Sequence, residues 1–333
     1  MRLKNYLRKS VDNISNNNNL NKFLKFLKIN TVILNYHRVL NDNEFNEEIR
    51  PDDNLVLSKS IFEKQISFIK ENFTPISINK ISEQTDYKKK RIVITFDDGY
   101  LDNLVNALPI LKKYECPAII YITTSFLDNK NDAWWFKIWE LILNNDEITY
   151  KKNKFDTSNL EKKRKSYSFF CKKIFLMKKK DQKIFFDDLI FANKTKTFEK
   201  KLLFLSSDNL KYLNKEDLIE IGCHTHYHQN LNILNEEETT NEIKISKDIL
   251  EKILQRKINH FSIPFGTKKT YSNKTINIIA SHGFKTNVTT NYDLFKKDNI
   301  LKIPRIGIGN DDVGSRLNSK LIGLNSLINK LFR

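Results

Sequence analysis

One stretch, residues 91–100, RIVITFDDGY, constrains the fold of this chain more than any other. Residues 92–94 are β-branched and apolar, as in buried strands, which are often parallel. The run ends in adjacent carboxylates, Asp97 and Asp98, which are costly to bury unless they are paired, hydrogen-bonded or bound to metal. Barrel and other α/β folds place their chemistry at the carboxyl ends of strands. The stretch therefore predicts an α/β fold with a site at this strand end, whereas a plain strand followed by an Asp-Gly turn is the structural alternative.

A histidine cluster favours the functional alternative. Residues 219–231, IEIGCHTHYHQNL, hold three of the six histidines, His224, His226 and His228. The spacing of His224 and His228 places two imidazoles on one face if the backbone is helical. Two imidazoles and one carboxylate form a ligand set that leaves positions open for water and substrate. A lone histidine is usually structural, but three within five residues predict a metal site, with His226 pointing away from the metal.

These two segments together resemble a known family. TFDDGY followed downstream by H-T-x-x-H is similar to the first two motifs of the polysaccharide deacetylases, carbohydrate esterase family 4, also called the NodB-homology domain. The resemblance spans residues 31–310 and implies a distorted (β/α) barrel. The third family motif, R-x-P-Y/F, corresponds to FSIPFG, in which Ser262 stands where the family has arginine.

The resemblance implies a divalent metal, zinc in the first place, with cobalt, nickel or iron as alternatives. Such a metal lowers the pKa of its bound water and polarises an amide carbonyl. The implied ligands are Asp98, His224 and His228, and the implied general base is Asp97. A backbone N–H, that of Phe265, is the candidate donor to the oxyanion. The residues expected to contact substrate are Tyr100, Pro264, Phe265 and Gly266.

Two further residues complete the expected site. The sequence Y-H-x-V, at residues 36–39, resembles the family branch in which the motif order is circularly permuted, and this makes His37 the candidate general acid. The motif-three arginine orients the base aspartate in the family, which Ser262 cannot do. The segment ILKIPRIGI is predicted to be the last strand, and Arg305, which it carries, is the candidate replacement.

The expected organisation has three consecutive parts, the second of which contains an insertion. Residues 1–30 are a basic amphipathic segment, 31–310 the deacetylase domain, 129–205 a Lys-rich helical insertion, and 311–333 a C-terminal amphipathic helix. No apolar run reaches the roughly 18 residues of a membrane span. Three tryptophans in the insertion have two interpretations, a sugar-stacking wall or, more commonly, burial of the insertion against the body. They are Trp134, Trp135 and Trp139.

Local patterns predict several elements within the domain. Residues 41–56 are expected to form a surface loop, and Ser58 is expected to cap the helix that follows. Further helices are predicted from Leu104 to Lys113 and, with a charged outer face, from Glu236 to Leu254. Cys223 is expected to be a small buried side chain.

Charge and cysteine content bear on location. The net charge is +17, which suits a polyanionic partner or simply a solvated Lys-rich surface. No nucleic-acid motif accompanies it, so we expect no nucleic-acid partner. The N-terminus lacks the apolar core of a secretory signal, and Cys116, Cys171 and Cys223 imply no disulfide framework. These features predict a cytoplasmic protein with peripheral contact to the inner membrane face through its terminal segments.

The resulting functional hypothesis is a hydrolase that deacetylates N-acetylated sugars of a polysaccharide or glycan precursor, for synthesis of a cell-surface glycan. Two alternatives stay open: a non-catalytic glycan-binding relative, and a basic membrane-surface or nucleic-acid-binding protein. The sequence leaves open which sugar is used, whether the acetyl group is on nitrogen or oxygen, and the oligomeric state.

Overall fold

The fold is a nearly closed parallel β-barrel surrounded by helices, as the sequence predicted. The computed structural model describes residues 31–51, 55–83, 89–130, 133–194, 202–291, 295 and 298–322. The strands in this part of the chain are β1 Thr31–Tyr36, β2 Arg38–Leu40, β3 Val56–Ser58, β4 Thr74–Pro75, β5 Arg91–Phe96, β6 Ala118–Ile122, β7 Glu147–Tyr150, β8 Asn153–Asp156, β9 Ile219–Cys223, β10 His260–Ser262, β11 Thr286–Thr289, β12 Ile303–Pro304 and β13 Ile306–Gly307.

Eight parallel strands form the wall of the barrel in the order β12-β11-β10-β9-β6-β5-β1-β13, and β4 pairs with β5 outside this path. The two end strands are consecutive in the chain and are separated only by Arg305. Because β12 pairs with β11 and β13 pairs with β1, the segment Ile303 to Gly307 connects the two edges of the sheet. The sequence had predicted one continuous last strand here; the structure divides it, and the break lies at Arg305.

Successive side chains along each strand point alternately into the barrel and out towards the helices. Ile33, Val93 and Ile119 belong to one cluster of buried side chains, which also includes Tyr121. The intervening positions pack outward against the helices in a second cluster, and Ile92, Ile94 and Ile120 are members of it. A run of β-branched residues buried on both faces is typical of a parallel sheet, and this explains why RIVITF forms a central strand.

The helices lie outside the barrel. They are α1 Asp42–Glu47, α2 Lys59–Asn72, α3 Leu108–Lys113, α4 Trp134–Leu143, α5 Leu160–Ile174, α6 Lys179–Asn193, α7 Ser207–Leu213, α8 Glu236–Leu254, α9 Asn273–Ser281 and α10 Gly314–Leu321. Ser58 caps α2, because its Oγ accepts a hydrogen bond from the N–H of Ile61 at 3.4 Å. This cap was predicted. A π-helical turn, Asn103–Ala107, precedes α3 where a regular helix was expected. The 41–56 stretch, expected to be a loop, contains α1.

The insertion has an apolar core of its own. Helices α4, α5 and α6 pack with the antiparallel hairpin β7–β8, which the sequence analysis had not anticipated. Trp139 is buried in this core, and its Nε1 donates to the carbonyl of Ile49 at 2.7 Å. Residues 1–30 lie outside the described residues, as do residues 323–333 of the expected C-terminal helix. None of the described helices has the length and apolarity needed to span a bilayer.

Candidate metal centre and active site

Three buried side chains converge at the carboxyl ends of β5 and β9. The Oδ1 atom of Asp98 lies 3.4 Å from Nε2 of His224 and 3.3 Å from Nε2 of His228. One ligand atom from each residue lies within 4.8 Å of the other two. The structure thus brings together the three residues that the sequence analysis assigned to a metal.

The chain that carries the two histidines is not helical, so the geometric reason first considered for their spacing is wrong. His224 follows β9, and the next residues form an irregular loop in which Thr225 and His228 have φ values of 65° and 54°. Thr225 Oγ1 accepts a hydrogen bond from the N–H of His228 at 3.1 Å. A tight loop, rather than a helical turn, places both imidazoles beside Asp98.

Glu242 of α8 holds this loop, and the sequence analysis had missed it. Its Oε2 accepts hydrogen bonds from the N–H groups of His226 at 3.1 Å and Tyr227 at 2.8 Å, and Oε1 accepts from Gln229 Nε2 at 2.9 Å. The sequence feature that could have identified Glu242 is a carboxylate on the face of α8 that is buried against the barrel. His226 is outside the metal cluster, and its Nδ1 lies 2.9 Å from Thr124 Oγ1.

The donor atoms fit a divalent cation. Within the described structure, the buried Oδ1 of Asp98 has no hydrogen-bond partner, although two imidazole nitrogens face it. The Nδ1 atom of His224 lies 2.8 Å from the carbonyl oxygen of Ser262, which fixes the proton on Nδ1 and leaves a lone pair on Nε2. A buried carboxylate oxygen beside two imidazole nitrogens is the donor set expected for Zn²⁺ or a similar ion.

Asp97 and Arg305 form a buried bidentate ion pair. Arg305 Nη1 donates to Asp97 Oδ1 at 2.8 Å, and Nη2 donates to Oδ2 at 2.6 Å. Ser262 Oγ accepts from Arg305 Nη2 at 3.0 Å and donates to Asp97 Oδ1 at 3.2 Å. The serine that replaces the motif-three arginine therefore lies within the pair, and the charge comes from the break between β12 and β13.

Electrostatics keep both carboxylates ionised. Burial by itself would raise the pKa of Asp97, but Arg305 and His224 oppose it, and the pKa of Asp97 is lowered. For Asp98 the contacts with His224 and His228 outweigh burial and hold its pKa well below the ordinary value. The two neighbouring aspartates thus have different partners, a guanidinium for Asp97 and two imidazoles for Asp98.

His37 lies between β1 and β2, next to the two carboxylates. Burial lowers the pKa of His37, and Asp98 and Asp97 act in the opposite direction. Asp97 joins the barrel wall at the same level, because its N–H donates to the carbonyl of Tyr36 at 3.1 Å. The fold therefore places the candidate acid on the strand beside the candidate base.

The third motif forms a γ-turn. The N–H of Gly266 donates to the carbonyl of Pro264 at 2.7 Å, and Phe265 between them has a φ of 61°. Gly266 also has a positive φ, and a Cβ there would lie 2.5 Å from the backbone nitrogen of Thr290. Phe265 packs edge-on against His228 with a ring separation of 4.7 Å. This half-buried ring therefore borders the metal ligands.

Aromatic side chains line another side of His228. The ring of Trp135 lies 5.1 Å from that of His228, and its Nε1 donates to the hydroxyl of Tyr100 at 3.2 Å. Tyr100 itself is only 4% exposed and stacks on Phe204. Of the insertion tryptophans, Trp139 is therefore in the insertion core, whereas Trp135 adjoins the site.

Cys223, expected to be a small buried side chain, is buried, and burial raises its pKa to about 12.

Comparison with known proteins assigns the chain to a family. The family model described as polysaccharide deacetylase matches residues 84–287. The chain is 31% identical over 124 residues to the poly-beta-1,6-N-acetyl-D-glucosamine N-deacetylase of Staphylococcus epidermidis, a match that covers 34% of this chain and 43% of that protein. A Staphylococcus aureus relative of the same name is 32% identical over 120 residues, which cover 33% of this chain and 41% of that protein. The chain thus spans less than half of these curated relatives.

Solved structures share the fold. A Streptococcus pyogenes deacetylase, PplD, in complex with acetate aligns with a TM-score of 0.58 and 21% identity, covering 87% of this chain and 97% of that one. A de-N-acetylase from Aggregatibacter actinomycetemcomitans aligns with a TM-score of 0.56 and 15% identity, covering 87% and 98%. At these identities the likeness establishes the barrel architecture alone.

Proposed function

The chain belongs to the polysaccharide deacetylase family, and from this premise we propose that it hydrolyses the acetamido group of N-acetylated sugars in a polysaccharide or glycan precursor. The observation that carries this proposal is the pairing of Asp97 with Arg305 beside the triad of Asp98, His224 and His228. A non-catalytic glycan-binding protein would need neither an oriented base nor three converging metal-ligand atoms. Both features support an enzyme.

Asp98, His224 and His228 would hold the divalent cation. When bound, such a cation supplies an activated water and polarises the carbonyl of the acetamido group. We propose zinc, because two imidazoles and a carboxylate suit it; cobalt, nickel and iron accept the same donors. The hydrogen bond between His224 and Ser262 keeps one ring oriented for this task.

The proton transfers fall to Asp97 and His37. Asp97 takes a proton from water as the oxygen attacks the carbonyl carbon, and Arg305 keeps Asp97 both ionised and oriented. His37 then gives its proton to the nitrogen of the breaking C–N bond, whose electron pair stays on that nitrogen. The products are a free amino sugar and acetate.

We assign oxyanion binding to the N–H of Phe265. The γ-turn uses the N–H of Gly266 internally, and the carbonyl of Phe265 accepts from Thr290 Oγ1 at 2.6 Å. The remaining polar group of Phe265 is its N–H, and a backbone donor is indifferent to the replacement of tyrosine by phenylalanine. Pro264 and Gly266 fix the turn, while Tyr100 supports Trp135, and in this way all four residues contribute to the substrate site.

The names of the relatives suggest a substrate class. The staphylococcal relatives act, by name, on poly-β-1,6-N-acetyl-D-glucosamine. We propose an acetylated glycan of this kind as the partner of the present chain, with Trp135 offering an aromatic surface to a sugar ring next to His228. Nucleic acid is not a proposed partner.

The deciding experiment combines elemental analysis of the purified protein with acetate release from a panel of glycans. The panel contains β-1,6- and β-1,4-linked N-acetylglucosamine oligomers and an O-acetylated glycan. One equivalent of a divalent metal and acetate release from an N-acetylated oligomer are expected. Bound glycan without acetate release by the metal-loaded protein would instead identify a non-catalytic relative.

A further inference from the structure

The segment that follows the DDGY motif presents three buried polar side chains to one short piece of chain. Asp102, Asn103 and Asn106 are 9%, 1% and 8% exposed. Asn103 and Asn106 belong to the π-helical turn Asn103–Ala107, and Asp102 precedes it. Turns of this type interrupt regular helices and are frequent at functional sites.

All three side chains bind the backbone of residues 37–39. Asn103 Nδ2 donates to the carbonyl of His37 at 2.7 Å. Asp102 Oδ1 accepts from the N–H of Val39 at 2.9 Å, and Asn106 Nδ2 donates to the carbonyl of Val39 at 2.8 Å. Asp102 Oδ2 also accepts from Arg38 Nε at 3.0 Å. Asp102, Asn103 and Asn106 therefore hold the chain on the C-terminal side of the His37 side chain, from the carbonyl of His37 to that of Val39.

His37 occupies a place where the strands do not fix the chain. It is the single residue between β1, which belongs to the barrel, and β2, which pairs with β3 outside it. Its carbonyl is in neither ladder, and Asn103 is the side chain that binds it. Asn103 does so while its own buried Oδ1 finds no partner in the described structure, which costs stability.

We propose that Asn103, assisted by Asp102 and Asn106, is a positioning residue for proton donation by His37. Asn103 lies five residues after Asp98, so the same turn that follows the ligand and base carboxylates also sets the place of the imidazole. The two proton-transfer groups, Asp97 and His37, are thereby fixed relative to each other across the bond that breaks. This inference rests on the proposed role of His37 as general acid.

The proposal is tested by comparing substrates whose leaving groups differ in their need for a proton. An amine leaves only when its nitrogen receives a proton, whereas 4-nitrophenolate leaves without one. The metal-loaded Asn103→Leu variant, which keeps the branching of the side chain and loses the donor, should lose kcat for an N-acetylglucosamine oligomer by at least about tenfold, within the range of general acid catalysis. Its kcat for 4-nitrophenyl acetate should change by less than about twofold. A merely structural role predicts equal losses on both substrates, and that result would overturn the proposal.

The controls separate this proposal from the one on which it rests. Asn145→Leu removes a bond of the same kind, Nδ2 to the carbonyl of Leu141 at 2.8 Å, within the insertion, and should leave both activities unchanged. His37→Ala should show the amide-selective loss more strongly. If His37→Ala reduces both substrates equally, the assignment of the general acid fails; if it is amide-selective while Asn103→Leu is not, only the positioning role fails. If the leucine variant does not fold, Asn103→Ala and Asn106→Ala replace it. They are judged in the same way, by comparing the loss of kcat for the amide substrate with the loss for 4-nitrophenyl acetate.

Discussion

Arg305 and Asp97 are separated by 208 residues in the chain and meet through two parallel hydrogen bonds of 2.8 and 2.6 Å in the barrel. Arg305 lies at the break between β12 and β13, where the chain connects the two edges of the sheet. Its Nε donates to the carbonyl of Thr289 and its Nη1 to Thr95 Oγ1, so each side of the barrel opening contributes an acceptor. Arg305 thus contacts strands on both sides of the barrel opening as well as the candidate base.

The Arg305→Lys variant should retain metal and fold but lose much of its activity. Lysine keeps the positive charge and loses the planar fork that holds both carboxylate oxygens. Because Arg305 helps to lower the pKa of Asp97, weakening the pair should raise that pKa. The acidic limb of the kcat/KM profile should therefore move to higher pH, since the base must be unprotonated.

Arg305→Ala should also lose about 3–5 kcal/mol of stability, because a buried carboxylate is left unpaired. Unchanged turnover and an unmoved limb in both variants would assign Asp97 another partner.

Asp97→Asn should fold and bind metal while losing turnover by about 10²–10⁴-fold, because the amide keeps the shape of the side chain and lacks its basicity. Metal content and acetate release are the two measurements. A loss smaller than about tenfold would mean that another group acts as the base.

His224→Ala and His228→Ala should lose bound metal and acetate release together, since each removes one of three converging ligand atoms. His226→Ala is the matched control from the same loop: its ring lies outside the cluster and contacts Thr124, so the metal should stay bound. Elemental analysis of dialysed protein gives the answer. Full occupancy in the double variant His224→Ala/His228→Ala would contradict the assignment.

Trp135→Ala should mainly affect substrate binding, whereas Trp139→Ala should mainly affect stability. Trp135 adjoins His228 and is only partly buried, so its removal should raise KM for glycan oligomers and should cost less stability than removal of Trp139. Trp139 is 6% exposed in the insertion core, so its removal should cost about 3–5 kcal/mol on the scale of buried aromatic truncations. Chemical denaturation and steady-state kinetics on both variants separate the two effects, and equal changes in KM would remove Trp135 from the substrate site.

We also propose that the N-terminal amphipathic segment brings the protein to the inner membrane face, near lipid-linked glycans; the described part of the C-terminal helix instead buries Leu317 and Leu321 in the core. Leu20, Phe23, Leu24 and Leu27 alternate with lysines in the N-terminal segment. Deletion of residues 1–28 should then weaken co-sedimentation with vesicles of anionic lipid, more so at low salt. Binding unchanged by the deletion would exclude this segment as an anchor.

Local patterns were sufficient for much of the fold. The β-branched run before Asp97 predicted a buried parallel strand, and the charged stripe from Glu236 to Leu254 predicted a helix with the observed bounds. Ser58 was recognisable as a cap because capping depends on neighbours within three residues. The hairpin β7–β8 was missed because each strand has only four residues, too few for a clear alternation, and because β8 is mostly exposed.

The sequence by itself determined which chemical groups the site contains: two adjacent carboxylates, two histidines four residues apart, a Pro-Phe-Gly turn and one arginine in an apolar strand. These are local facts of residue type and spacing. Only the tertiary structure decided how the groups meet, because contacts between residues distant in the chain depend on strand order and on where a strand breaks. Barrel closure brings Arg305 to Asp97, a tight loop held by Glu242 aims His224 and His228 at Asp98, and the π-helical turn holds the chain at His37.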